Sequence, residues 1–159
     1  MAKKKDFAII FIVIVLISAF ASLALYQFIP QEGLVEANVI RVIDTSVIVG
    51  NNCTGIIAET SAERAESIEL GLQNRISERP NTHDTLAAVF RAFNITVEGV
   101  EITDIQDQNY LSFITISQGD RVLRLDARPS DAIAIALRTN SKIYINRILL
   151  TQNGQNICL

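Results

Sequence analysis
A strand that runs straight into an all-apolar helix constrains this chain more than any other feature. Between Leu125 and Arg138 the sequence reads Leu-Asp-Ala-Arg-Pro-Ser-Asp-Ala-Ile-Ala-Ile-Ala-Leu-Arg. Val122, Arg124 and Asp126 alternate with Leu123 and Leu125, which predicts a strand whose leucines face a core and whose charges face out. Pro129 suits the first helical position, where a missing N–H costs nothing, and Asp131 then falls in the first turn, where the helix dipole favours an anion. Every residue from Ala132 to Leu137 is apolar, and a helix apolar on all sides is buried on all sides. Its threshold, Asp126, Arg128, Ser130 and Asp131, then lies at a strand-to-helix junction whose backbone N–H groups point outward, a place that readily holds phosphate or carboxylate. The plain alternative is that these residues cap the helix and pair with one another.

Two segments carry a resemblance. Asp126 to Arg138 resembles one signature of the bifunctional nuclease family, and Arg79-Pro80-Asn81-Thr82-His83-Asp84-Thr85-Leu86 resembles a second, in the expected order. The likeness covers Glu36 to Leu149. It implies a compact α+β domain, and RNase and DNase activity have both been assigned within that family.

The first 36 residues read differently. Lys3, Lys4 and Lys5 precede Phe7–Ile29, 23 positions without a charge, closed by Pro30. That length suffices for a helix crossing ~30 Å of hydrocarbon, with Tyr26 suited to the interface. The reading is therefore a basic lead (1–6), a transmembrane anchor (7–29), a linker (30–36), a domain (37–150) and a polar tail (151–159). A cleavable signal peptide is the alternative, since Ala19-Phe20-Ala21 has the small-x-small form of a cleavage site. The lysines place the N-terminus in the cytoplasm and the domain outside, with secretion after cleavage as the alternative. Cys53 and Cys158 form no CxxC pair. With His83 as the single histidine they cannot complete a four-ligand zinc site. A disulfide, two buried thiols or two unrelated residues all remain open. An exported domain permits the disulfide, and Asn52-Cys53-Thr54 and Asn94-Ile95-Thr96 match the glycosylation triplet.

Along the domain the pattern predicts strands at 37–43, 46–50 and 55–59, then a helix from Ser61 with Ala65, Ile68 and Leu72 inward. Asn81 or Thr82 caps a second helix running to Phe93, with Leu86, Ala87, Phe90 and Phe93 as its core face. Strands follow at 95–105, 110–117 and 121–126, then the central helix and a last strand at 142–150. Strand–strand–strand–helix thus occurs twice. Glu59, Ala65, Ile68 and Leu70 match Asp126, Ala132, Ile135 and Leu137 at constant offset, which suggests an internal duplication. The predicted class is α+β, with mostly antiparallel sheets and two or three packed helices.

Phosphodiester hydrolysis needs an activated water and positive charge around the phosphorus. Candidates for catalysis are His83, Asp84, Asp126 and Asp131. Asp126 and Asp131 are also the candidate ligands for Mg²⁺ or Mn²⁺. Arg79, Arg128 and Arg138 are candidate phosphate clamps, because the planar guanidinium binds phosphate through two N–H groups. Each has an ordinary alternative: His83 and Asp84 as helix-start residues, Arg138 as an answer to the dipole at a helix end. Beyond residue 30 there are 11 basic and 16 acidic residues, net −5. A field of that sign opposes indiscriminate nucleic-acid binding and allows only a small local footprint. A non-catalytic membrane-tethered scaffold, or a sensor of small anions, is the competing reading, and a homo-oligomer is compatible with either. The two signatures are expected to meet, with His83 and Asp84 beside Asp126, Arg128 and Asp131.

Overall fold
Three β-branched segments open the domain as a meander: β1 (Leu34–Ile43), β2 (Ser46–Asn51) and β3 (Thr54–Glu59). Helices α1 (Ala62–Leu72) and α2 (Thr82–Ala92) follow. A second meander comprises β4 (Thr96–Gln106), β5 (Asn109–Gln118) and β6 (Arg121–Ala127). The chain ends with α3 (Pro129–Thr139), β7 (Ile143–Asn146), α4 (Arg147–Asn153) and β8 (Gln155–Asn156). This is a computed structural model, and it describes residues 33–158. The expected lead, anchor and start of the linker lie outside the described residues.

All eight strands form one mixed sheet in the order β6-β5-β4-β7-β1-β2-β3-β8. β7 stands between the two meanders, antiparallel to β1 and parallel to β4, and the β4–β7 pair is the one parallel pairing among the described strands. The chain is thus α+β and mostly antiparallel, as expected, but with one continuous sheet and four helices rather than two or three. Both meanders deliver their last strand into a helix, α1 after β3 and α3 after β6, so the repeated element order is a real feature of the architecture.

The all-apolar helix is the keystone. Ala132, Ile133, Ala134, Ile135 and Ala136 are all buried. α3 lies over β4 and β5, while α1 and α2 pack against α3. Alanines let these elements approach closely, and Gly71 of α1 sits directly against α3. A Cβ there would meet Leu137 Cβ at 3.0 Å and Arg138 Nη1 at 3.0 Å. Asn140 ends α3 in the left-handed region (φ 53°), where asparagine is better tolerated than most residues.

Several boundaries depart from the sequence reading for physical reasons. Leu34, Val35 and Glu36, read as linker, extend β1 because β7 supplies partners for them. The expected last strand stops at Asn146, whose side chain accepts from Ile148 N and starts α4. The tail is also held: Gln155 and Asn156 pair with Gly55 and Thr54 of β3. Cys53 and Cys158 are joined in a disulfide, with Cα atoms 4.9 Å apart. Leu123 and Leu125 do not reach a core. They are 53% and 40% exposed, because β6 is the sheet's last strand and lies beyond the helix layer. Phe93, expected inward, is 63% exposed just past the end of α2.

Candidate functional site
His83 enters on the first turn of α2, and its position is set by a reciprocal cap. Asn81 accepts from Asp84 N at 3.0 Å, while Asp84 Oδ2 accepts from Asn81 N at 2.9 Å. The same Asn81 donates through Nδ2 to Ser67 Oγ at 3.1 Å. Ser67 Oγ lies 2.9 Å from His83 Nδ1, and His83 Nε2 lies 3.4 Å from Asp131 Oδ1 on α3. A carboxylate facing Nε2 favours a proton on that nitrogen. In the neutral ring Nδ1 is then the acceptor, and Ser67 donates to it. One line of polar groups therefore runs Asn81–Ser67–His83–Asp131 through α1, α2 and α3.

Arg64 of α1 approaches the same Asp131 oxygen, Nε to Oδ1 at 3.8 Å. Arg128 is exposed at the start of α3 and makes no ion pair among the described residues. Together these groups line an open cleft of about 850 Å³ with Asp126, Asn81 and Ser77. A second cleft of about 680 Å³ adjoins it and shares Arg64, Asp126, Ala127 and Arg128. Its floor includes Ile56, Ile68 and Ile102, and its rim Glu59, Tyr110 and Ser130. Burial pushes the Tyr110 hydroxyl above its ordinary pKa. Hydrogen bonds from Ser46 and Thr45 hold the exposed Glu59 carboxyl below its own.

The two signatures thus meet, through His83 and Asp131. Asp126 borders the same cleft, but β6 pairs it with Phe113, whose ring carries the guanidinium of Arg124. Strand alternation puts the Asp126 side chain on that face, opposite Leu125 and α3. Asp84 and Arg138 lie elsewhere. Arg138 Nε donates to Asp84 Oδ1 at 2.5 Å, with the two side chains 7% and 4% exposed. Arg138 Nη1 also donates to Ser67 O at 3.0 Å and Ala134 O at 2.9 Å. Burial raises the Asp84 carboxyl; the Arg138 and Asn81 hydrogen bonds and the Arg138 charge outweigh it, so its pKa sits below the ordinary value. This pair is committed to holding three helices together, and neither group opens toward the His83 cleft. Arg79 is exposed in the α1–α2 connection and is not among the residues lining either cleft.

Ser67 and Arg64 are the site residues that the sequence reading passed over. The signal was present: Arg64, Ser67, Ile68 and Gly71 fall at i, i+3, i+4 and i+7, a second helical face beside the Ala65–Ile68–Leu72 stripe. A small polar residue four positions before a glycine on that face marks a close helix crossing. Asp126 and Asp131 provide two carboxylates. No group of three or more His, Cys, Asp or Glu side chains among the described residues is arranged to hold a metal ion.

Fold and cleft together define an α+β domain of two β-meander–helix halves, with a histidine, carboxylates and arginines gathered where strand meets helix. The chain belongs to the bifunctional nuclease domain family, whose domain matches residues 56–157. It is also similar to the uncharacterized proteins MT1877 and Rv1829 of Mycobacterium tuberculosis. Each is 34% identical over 90 residues, which is 57% of this chain and 53% of the relative. The matched stretch spans about half the length of these curated relatives.

Proposed function
We propose that the cleft between α1, α2 and α3 hydrolyses phosphodiester bonds in RNA or DNA. The observation that carries this reading is the Asn81–Ser67–His83–Asp131 line of contacts beside Arg64 and Arg128, in a chain of the bifunctional nuclease family. Arg64 and Arg128 would hold the phosphate oxygens and offset charge that builds up in the transition state. Asp131 takes a proton from the attacking water as its oxygen bonds to phosphorus. His83, in its protonated form, gives the Nε2 proton to the leaving oxygen as the P–O bond breaks. Ser67 holds the imidazole in place through Nδ1, and Asn81 holds Ser67. Asp84 and Arg138 position this machinery without touching substrate.

Asp131 is a hard oxygen donor of the kind Mg²⁺ or Mn²⁺ accepts while keeping several waters and substrate oxygens; Asp126, whose side chain lies on the other face of β6, would not share that ion. Such an ion, when bound, would neutralise phosphate charge. The net-negative domain favours a short substrate segment at this one patch over a long groove. We also propose that the domain lies outside the cytoplasm on an anchor at residues 7–29. The lysine-rich lead supports this reading, and so does the Cys53–Cys158 bond, which suits an oxidising compartment.

A fluorogenic assay on short RNA and single-stranded DNA, with Mg²⁺, Mn²⁺ or chelator, tests the activity. His83→Ala is expected to lower kcat/KM by ~10²–10⁴-fold, the usual worth of a positioned acid or base. Ser67→Ala should cost less, since it leaves the imidazole present but free to turn. No hydrolysis by the wild-type chain under any of these conditions would defeat the proposal, as would full activity in His83→Ala.

A further inference from the structure
The two edges of the sheet are finished differently. At one end β8 is two polar residues long and tied down by the Cys53–Cys158 bond, the short, blunted edge that proteins use against unwanted pairing. At the other end β6 presents seven residues without proline or bulge, and its first six residues are exposed. Val122, Leu123 and Leu125 are 69%, 53% and 40% exposed there. Phe93 stands at the same end of the sheet, its carbonyl accepting from Gln118 Nε2 at 2.7 Å. An open strand edge beside uncovered apolar side chains is a template for another strand.

We infer that β6 pairs antiparallel with β6 of a second copy of this chain, joining two eight-stranded sheets across a two-fold axis. The register follows from the strand itself. Gln118 and Arg121 close the tight turn to β5, so alternate residues Arg121, Leu123, Leu125 and Ala127 direct their backbone groups inward to β5. Val122, Arg124 and Asp126 direct theirs outward. A two-fold axis through Arg124 would oppose two guanidinium groups, and one through Asp126 two carboxylates. An axis through Leu125 opposes Leu125 to Leu125, Leu123 to Ala127 and, on the other face, Arg124 to Asp126 twice. Opposite charges directly across a strand pair are favourable and like charges unfavourable, so the charge pattern selects the Leu125 axis. Arg124 keeps its bond to Glu101, Nη2 to Oε2 at 2.8 Å, and has further N–H groups to share. Because the surface is self-complementary, the assembly closes at two copies. It also sets the second copy's Arg124 against Asp126, at the border of the cleft described above, whether or not that cleft is catalytic.

The test uses the full chain in detergent, with single cysteines added to a protein whose own two cysteines are bonded. Leu125→Cys should give a disulfide-linked dimer under mild oxidation, while Leu123→Cys and the off-edge control Val89→Cys should not. Arg124→Asp should weaken the dimer by roughly tenfold, and adding Asp126→Arg should restore it by reversing the pair. A thermal melt of each variant checks that the monomer remains folded. Equal cross-linking at all three positions means collision or association through the anchor, and overturns the inference. A monomeric mass by light scattering at ~100 μM, well above the micromolar affinity that a modest interface gives, also overturns it.

Discussion

Asp84→Ala is the most informative single change, because the carboxylate has two structural duties and no contact with the cleft. It accepts from Arg138 at 2.5 Å and closes the cap on α2 through Asn81 N at 2.9 Å. Removing it strands a guanidinium that is 7% exposed and whose Nη2 already lacks a partner. Breaking a buried pair from one side costs ~3–5 kcal/mol; the Asn81 side-chain cap survives, and only Asp84's half of the reciprocal cap is lost. Against a total of ~5–15 kcal/mol for a domain, the variant is left marginal. Urea unfolding followed by far-UV circular dichroism should show the midpoint fall by ~2 M, taking a slope of ~2 kcal/mol per M. Arg138→Met added to Asp84→Ala should recover much of the loss, since neither charge is then left unpaired. Acid gives an independent reading. The folded pKa of Asp84 lies below its ordinary value of 3.8, so the unfolded chain binds the proton more readily. The pair's contribution is then complete above the ordinary carboxylate range and is lost as pH falls through the lower, folded value. Asp84→Ala should flatten that acid limb. A fall of under ~1 kcal/mol, or a double variant no more stable than the single, would refute the reasoning.

Two further outcomes are expected. Reducing the Cys53–Cys158 bond, which spans 105 residues, should destabilise the domain by up to ~4–5 kcal/mol in the chain-entropy view and free the amides of β8 to exchange; two free thiols in freshly isolated protein would contradict this. Protease added to intact cells should clip the domain while cytoplasmic markers survive, and protection until lysis would reverse the proposed orientation.

The fold was legible where local chemistry and tertiary packing agree. Both meanders, the Asn81 cap and the buried run in α3 follow from periodicity, turn residues and the missing N–H of Pro129. It was illegible where a neighbour distant in sequence decides the outcome. Leu34 to Glu36 become strand because β7 lies beside them, and Gln155 and Asn156 do because Thr54 and Gly55 do. The pattern of β6 is the sharpest case. Leu123 and Leu125 alternate with charges as a half-buried strand should, and they do fall on the helix side of the sheet with Ile114 and Ile116. Only the strand order places them beyond the last helix, and strand order is not written in alternation.

The candidate site shows the same division at the scale of single side chains. Sequence alone could place His83, Asp84, Asp131 and Arg138 at helix ends, and at such ends a charge serves either the cleft or the scaffold. What separates the two outcomes is rotation about the helix axis. Asp84 follows His83 by one position, about 100° around α2. That turn carries Asp84 inward, to the Arg138 guanidinium, which itself donates to Ser67 O of α1, and leaves the histidine facing Ser67 and Asp131. Adjacent residues of one motif therefore take opposite duties: Asp84 fixes the three helices whose contact brings Ser67, His83 and Asp131 into line. A motif of consecutive polar residues at a helix start is best read as two faces, one that builds the site and one that occupies it.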